Sequence, residues 1–419
     1  MSGTVNGLLG TGLVLQNNAG DDLAVAANGS FSFANALGGG SSYAVTIKSQ
    51  SRILTRVCAV SNGSGIVADE PVTNVEVNCA APVARFAYAV NFGSNNLFPY
   101  TVDVNTGALG SVAGPMVGTG YSPTSVAVDP TGRFVYVANR DSNNLSAYTI
   151  DVGTGVLSPM AVPTVASGDS PYSIAVDPTG RFAYVANRDS NNVSAYTIDA
   201  TTGALSPAAV PTVPAGDMPY FIALDPMGRF AYVANAGSNN VSAYTIDATT
   251  GALSPAAAPT VPSGYLPFSI AVDPTGRFVY VANVYSDSVS AYTIDADTGA
   301  LNPMAVPTIG AGSYPESVTV DPTGRFAYVA NAISDNVSAY TIDASTGALS
   351  PMATPTVAAR DAPSSVTVDP TGRFAYVTNF ASKDVSAYAI DANTGALNPM
   401  AVSTVATGGI SPQSLALSR

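Results

Sequence analysis

The dipeptide Arg-Phe recurs at Arg85, Arg133, Arg181, Arg229, Arg277, Arg325 and Arg373, a spacing of 48 residues held through seven copies. A unit of that length cannot bury a core alone, so its neighbours must supply one. The best-preserved copies read RFAYVAN, SNNVSAYTID, TTGALSPAAVPTV, a Gly-Pro loop and SIAVDPTG. Each is a set of four strand-sized runs rich in Val, Ile, Tyr, Phe and Thr, divided by Asn-Asn, Thr-Gly and Asp-Pro-Thr-Gly turn signals.

In RFAYVAN, Phe182, Tyr184 and Ala186 alternate with Ala183 and Val185, so neither face of the strand is polar and both must be covered. Sheets stacked radially meet that demand and limit exposed edges, which predicts an all-β, seven-bladed β-propeller with four-stranded blades. An open solenoid of seven units is the competing architecture. The phase of the repeat decides how the ring shuts. The first copy opens at Arg85, and the last strand, QSLALS from Gln413, corresponds to SIAVD. The C-terminal strand is therefore predicted to be the innermost strand of the first blade. Pro99, where other copies have Ala, implies a bulge or an edge in that blade.

Residues 1–81 lie outside the period and residues 82–419 within it. Alternating runs such as LVLQN, DDLAVAA, SFSFA and YAVTIK predict a small β-sandwich for the first segment. Its Cys58 and Cys79 are the only cysteines, and read either as a disulfide supporting a limited core or as two small buried hydrophobes. Two lysines in all, 10% charged residues and a Ser/Thr/Asn-rich composition favour the disulfide and an exported location: secreted, periplasmic or cell surface. No export signal is recognised in the chain, and no apolar run is long enough to span a bilayer. A net charge of −13 argues against nucleic acid and anionic membranes.

YVAN at Tyr136, Tyr184, Tyr232, Tyr280 and Tyr328, YVTN at Tyr376 and the repeated DPTGRF resemble the YVTN-repeat, lactonase-like family of seven-bladed propellers. The first segment resembles the immunoglobulin-like or prealbumin-like modules that precede such propellers in exported bacterial proteins. The resemblance implies a range of functions: sugar-lactone hydrolases, a lactonising enzyme, and envelope proteins without known catalysis. Lactonising members use His, Arg and Glu around the central channel. This chain has no histidine. That removes the usual general base, the Ser/His/Asp arrangement and histidine metal ligands together.

The repeated aspartates, such as Asp177 and Asp199, read as turn caps paired with the repeat arginines more readily than as a ring of cation sites. No cofactor and no metal are expected. Two loops vary from copy to copy, the one after YVAN and the one before the innermost strand, and both should emerge on one face. Right after the loop proline, successive blades carry Thr124, Tyr172, Tyr220, Phe268, Glu316, Ser364 and Gln413, a set that should ring the channel mouth. The aromatic arc Tyr172, Tyr220 and Phe268, with Tyr121, Tyr265 and Tyr314 in the loops, reads either as a site for a sugar, an aromatic group or a protein side chain, or as a channel plug. Asp169, Asp217, Arg360 and Asp361 are its charged neighbours.

Missing histidines and near-identical blades favour a noncatalytic secreted or cell-surface module that binds or assembles, as a homo-oligomer or filament. The alternative is a lactonase-like hydrolase, with Glu316 as base and Arg360 stabilising an oxyanion.

Overall fold

The structure is a computed structural model that describes residues 1–8, 12–50, 57–68, 70–80, 83–112, 114 and 116–418. It divides into two compact units, Met1–Pro82 and Val83–Arg419. The expected boundary between 81 and 82 lies outside the described residues.

The first unit has two four-stranded sheets. One runs Gly29–Ser32, Ser2–Asn6, Val75–Ala80, Val57–Ser61, and the other Asp21–Val25, Leu13–Asn17, Ser42–Ser49, Ser64–Ile66. Val5, Val75 and Val77 of the first share one apolar cluster with Leu13, Leu15 and Val45 of the second. Cys58 and Cys79 face each other across paired strands and form a disulfide. Ser2–Asn6 pairs parallel with Val75–Ala80, a long-range contact that no hairpin signal announces.

The second unit is the seven-bladed ring. In the second blade the strands run outward in chain order, Pro123–Val128, Phe134–Asn139, Asn144–Ile150 and Leu157–Ala166. The next five blades repeat this order. In the first blade, Pro412–Leu417 pairs with Phe86–Asn91 and supplies the innermost strand. Pro99 sits at the place where other blades have a register shift opposite Ala147, and there the outer strand is split into Leu109–Ser111 and Val117–Gly118.

Three side chains of the RFxY segments of the second to seventh blades build the joint to the following blade, and in the first blade Phe86 and Tyr88 do so. Arg133 donates to the Ala200 carbonyl at 2.7 Å, Tyr136 donates its hydroxyl to the Gly203 carbonyl at 2.7 Å, and Phe134 lies so close to Gly203 that a Cβ there would approach to 2.4 Å. Gly203 also has φ of 74°, so no other residue serves both needs. The same joint closes the ring. Arg373 and Tyr376 donate to the carbonyls of Val104 and Gly107 in the first blade.

The aspartates are turn caps. Asp177 accepts from the backbone N–H groups of Thr179, Arg181 and Phe182, and Asp199 accepts from those of Thr201 and Thr202. General pairing of Asp with the repeat Arg is not found. Among the described residues only Arg229 makes that pair, with Asp225 at 3.2 Å, because Met227 replaces the threonine whose hydroxyl receives the arginine Nε elsewhere.

Tyr184 is fully buried and its hydroxyl donates to the Gly251 carbonyl at 2.8 Å. Tyr184→Phe leaves that carbonyl unpaired at one joint and should cost about 1–2 kcal/mol, read as a lower urea midpoint. An unchanged midpoint would mean that the joint rests on packing alone.

Candidate functional site

The inner strands of all seven blades line a central cavity of about 410 Å³. Position along the repeat decides which residues reach it. Each blade turns into its innermost strand through a residue with positive φ followed by proline, as at Ser170, Met218, Leu266 and Tyr314, so the next side chain stands at the mouth. The turn is held the same way whatever its sequence: Tyr121, Asp169, Asp217, Tyr265, Ser313, Asp361 and Ile410 each donate a backbone N–H to the serine of the hairpin that follows YVAN or its equivalent. The two variable loops therefore lie together.

Three of the mouth residues form a ring cluster. Tyr172 and Tyr220 have centroids 4.4 Å apart, Tyr220 and Phe268 4.6 Å, and Tyr172 and Phe268 5.8 Å. Thr124 and Ser364 spend their hydroxyls on neighbouring carbonyls. Among the described residues Glu316 is the only charged one in the cavity lining. Its carboxyl makes no hydrogen bond or ion pair among the described residues, and burial raises its pKa to about 7. The Tyr172 phenol is held protonated well above the usual tyrosine range, first by burial and then by the charges of Tyr220 and Glu316. A base that titrates near neutrality thus lies within electrostatic reach of a hydroxyl that keeps its proton.

The other expected residues take different places. Arg360 is exposed, outside the lining, and pairs with Asp384 at 3.4 Å. Among the described residues no hydrogen bond or ion pair joins it to Glu316. Asp169, Asp217 and Asp361 are exposed on the loops, and none of them lines the cavity. Tyr121 is exposed and makes no ring contact among the described residues. Tyr265 and Tyr314 both approach Tyr285 in the loop after YVAN of the fifth blade.

Two cations at the mouth do not emerge from the sequence reading. The Arg188 guanidinium lies over the Tyr220 ring at 5.5 Å, and that of Arg140 over Phe92 at 4.7 Å. Each has an adjacent aspartate, Asp189 at 3.6 Å and Asp141 at 2.7 Å, which offsets its charge. Their signal is that they fall off the Arg-Phe register, at one repeat position in adjacent blades.

A family model described as "Lactonase, 7-bladed beta-propeller" matches residues 76–169, 159–266, 267–360 and 317–411. No curated protein matches the sequence. Among solved structures, a candidate 6-phosphogluconolactonase of Bacteroides fragilis has a TM-score of 0.69 at 18% identity, over 79% of this chain and 97% of its own. The periplasmic gluconolactonase of Pseudomonas aeruginosa has a TM-score of 0.67 at 20% identity, over 80% and 99%. A Lactobacillus plantarum protein scores 0.66 at 21% identity, over 80% and 99%. These likenesses show the fold. The family match overturns the expectation of a noncatalytic adhesive or assembling module.

Proposed function

Since this chain belongs to the seven-bladed β-propeller lactonase family, we propose that it hydrolyses a sugar lactone at the mouth of its central cavity. The observation that carries this reading is Glu316, the one charged group among the described residues of the lining, with a pKa of about 7. A base of that strength accepts a proton at neutral pH and can return it, as a hydrolase without histidine requires.

In the reaction, Glu316 takes a proton from water while the water oxygen bonds to the lactone carbonyl carbon. The Tyr172 hydroxyl donates to the resulting oxyanion, in the role first expected of Arg360. Collapse restores the carbonyl and breaks the bond to the ring oxygen, which leaves with the proton from Glu316. The product is the open hydroxy acid. Phe268 and Tyr220 offer apolar faces to the sugar ring, and the Arg188 guanidinium packs over the Tyr220 ring.

The test is hydrolysis of glucono-1,5-lactone, corrected for its spontaneous opening. Tyr172→Phe removes only the donor and should lower kcat about 100-fold with KM little changed. A rise in KM at constant kcat would assign Tyr172 to binding alone.

The first unit fits an immunoglobulin-like sandwich, which its two sheets around one apolar cluster support. An exported, periplasmic location is supported by the Cys58–Cys79 disulfide and by the periplasmic relative. No helix among the described residues is long and apolar enough to cross a membrane.

A further inference from the structure

Beside Glu316, the rim carries tyrosines that the ring does not need. Tyr265 and Tyr285 stack with centroids 6.0 Å apart at 26°, and Tyr285 meets Tyr314 at 5.8 Å and 59°. Tyr265 and Tyr285 are 59% and 60% exposed, which is unusual for rings of their size and wasteful unless something covers them. Where Tyr265 stands the second blade also has a tyrosine, Tyr121, which meets no ring among the described residues, and other blades hold Asp217, Ser313 or Asp361; Gly237, Ile333 or Ala381 stand where Tyr285 is, and Ser170, Leu266 or Ala362 where Tyr314 is. The turn before the innermost strand is held alike in each, with the N–H of Asp217, Tyr265 and Asp361 bonded the same way and positive φ at Ser170, Leu266, Tyr314 and Ala362, while Tyr285 sits in a short 3-10 turn, Val284–Ser286. Packing of the ring therefore explains none of the three.

The rim row also continues into the cavity. The Tyr220 phenol lies within electrostatic reach of Tyr285 and Tyr314, and Tyr314 within reach of Glu316. Phe268 and Tyr172 carry the run of rings from Tyr220 to the lining. Tyrosine and phenylalanine rings supply both apolar faces and phenol hydroxyls, which suit the C–H faces and hydroxyl edges of a pyranose. Among the described residues no arginine lies over Tyr265, Tyr285 or Tyr314, and the nearest such contact is Arg188 over Tyr220. The row runs from Tyr314, within electrostatic reach of Glu316, to the exposed rings of Tyr285 and Tyr265.

We infer that Tyr265, Tyr285 and Tyr314 form an outer saccharide subsite, and that the preferred substrate is a lactone ring at the reducing end of a longer saccharide. This rests on the hydrolase reading for the lactone and on the tyrosine row for the extension. The enzyme then acts after a reaction that oxidises the reducing end of a saccharide, since that chemistry supplies such a lactone.

The experiment compares the parent protein with the double variant Tyr265→Ser, Tyr285→Ala, residues that Ser313 and Ala381 show the loops to accept. Two readouts are taken: the ratio of kcat/KM for cellobiono-1,5-lactone over glucono-1,5-lactone, and calorimetric binding of cellotetraose against glucose. The parent should prefer the disaccharide lactone and bind the tetrasaccharide more tightly. The variant should lose about tenfold in both the ratio and the tetrasaccharide affinity, with an unchanged thermal midpoint. A parent that does not distinguish cellotetraose from glucose, or a variant with the parent's ratio and affinity, overturns the subsite. If neither lactone is hydrolysed yet tetrasaccharide binding is present and lost in the variant, the subsite stands and the hydrolase reading falls.

Discussion

Glu316→Gln is expected to abolish the proposed lactone hydrolysis and at the same time to make the ring more stable above pH 7. The amide cannot accept a proton, so kcat should fall by about 10²- to 10⁴-fold, the usual worth of a positioned base. Stability moves the other way because burial raises the Glu316 pKa to about 7 in the fold, whereas an unfolded glutamate titrates near 4.3. A raised folded pKa favours the protonated form. Its contribution is fully present below the unfolded pKa and is lost as pH rises through about 7. At pH 8 the ionised side chain costs the fold up to about 4 kcal/mol, which the neutral amide avoids. The thermal midpoint of the variant should therefore exceed the parent's at pH 8 and match it near pH 4. In the parent, kcat/KM should climb with pH and level off above about 7. A variant that keeps its activity, or a rate that falls across that range, removes Glu316 from the mechanism.

Deleting residues 411–419 should unfold the ring instead of trimming it. Pro412–Leu417 is the innermost strand of the first blade, paired with Phe86–Asn91 from Pro412↔Asn91 to Leu417↔Ala87. Ser418 adds a hydroxyl that accepts from the Phe86 N–H at 3.1 Å. Losing the strand exposes Ala87 and Ala89 and leaves a row of backbone groups unpaired in the core. A loss of more than about 5 kcal/mol is expected, comparable with the whole stability of many domains. The measurement is thermal unfolding followed by tyrosine fluorescence. A transition at the parent's temperature would show that the ring does not depend on this closure.

The ring was legible because a 48-residue period leaves one degree of freedom per unit, its angle to the next. Phe182 and Tyr184 on one side of a strand and Ala183 and Val185 on the other already state that both faces are buried, and the structure packs Phe182 and Tyr184 against Ala231 and Val233 of the next blade. Glu316 was legible for the same reason, since register alone gives blade and depth. Direction is another matter. Arg360 has the right loop but turns to Asp384, which stands where most blades have Asn, and only that second substitution could have revealed the pairing. The contacts of Tyr285 with Tyr265 and Tyr314 join different repeat positions, one pair across two blades, so no alignment of copies brings them together. The first unit was less legible because its parallel pair of strands comes from opposite ends of the segment.

Each joint between blades is written in two short segments, the RFxY strand of one blade and the Asp-x-x-Thr-Gly turn of the next, 67 residues apart along the chain and 269 apart only where the ring closes. Duplicating one 48-residue unit therefore duplicates a donor half and an acceptor half together, and every joint in the longer chain is complete at once. Nothing in a joint counts blades. The number in the ring follows from the wedge that two neighbouring sheets make when these contacts are satisfied, so ring size is a property of one interface repeated, and a gene can reach it by copying without any compensating change.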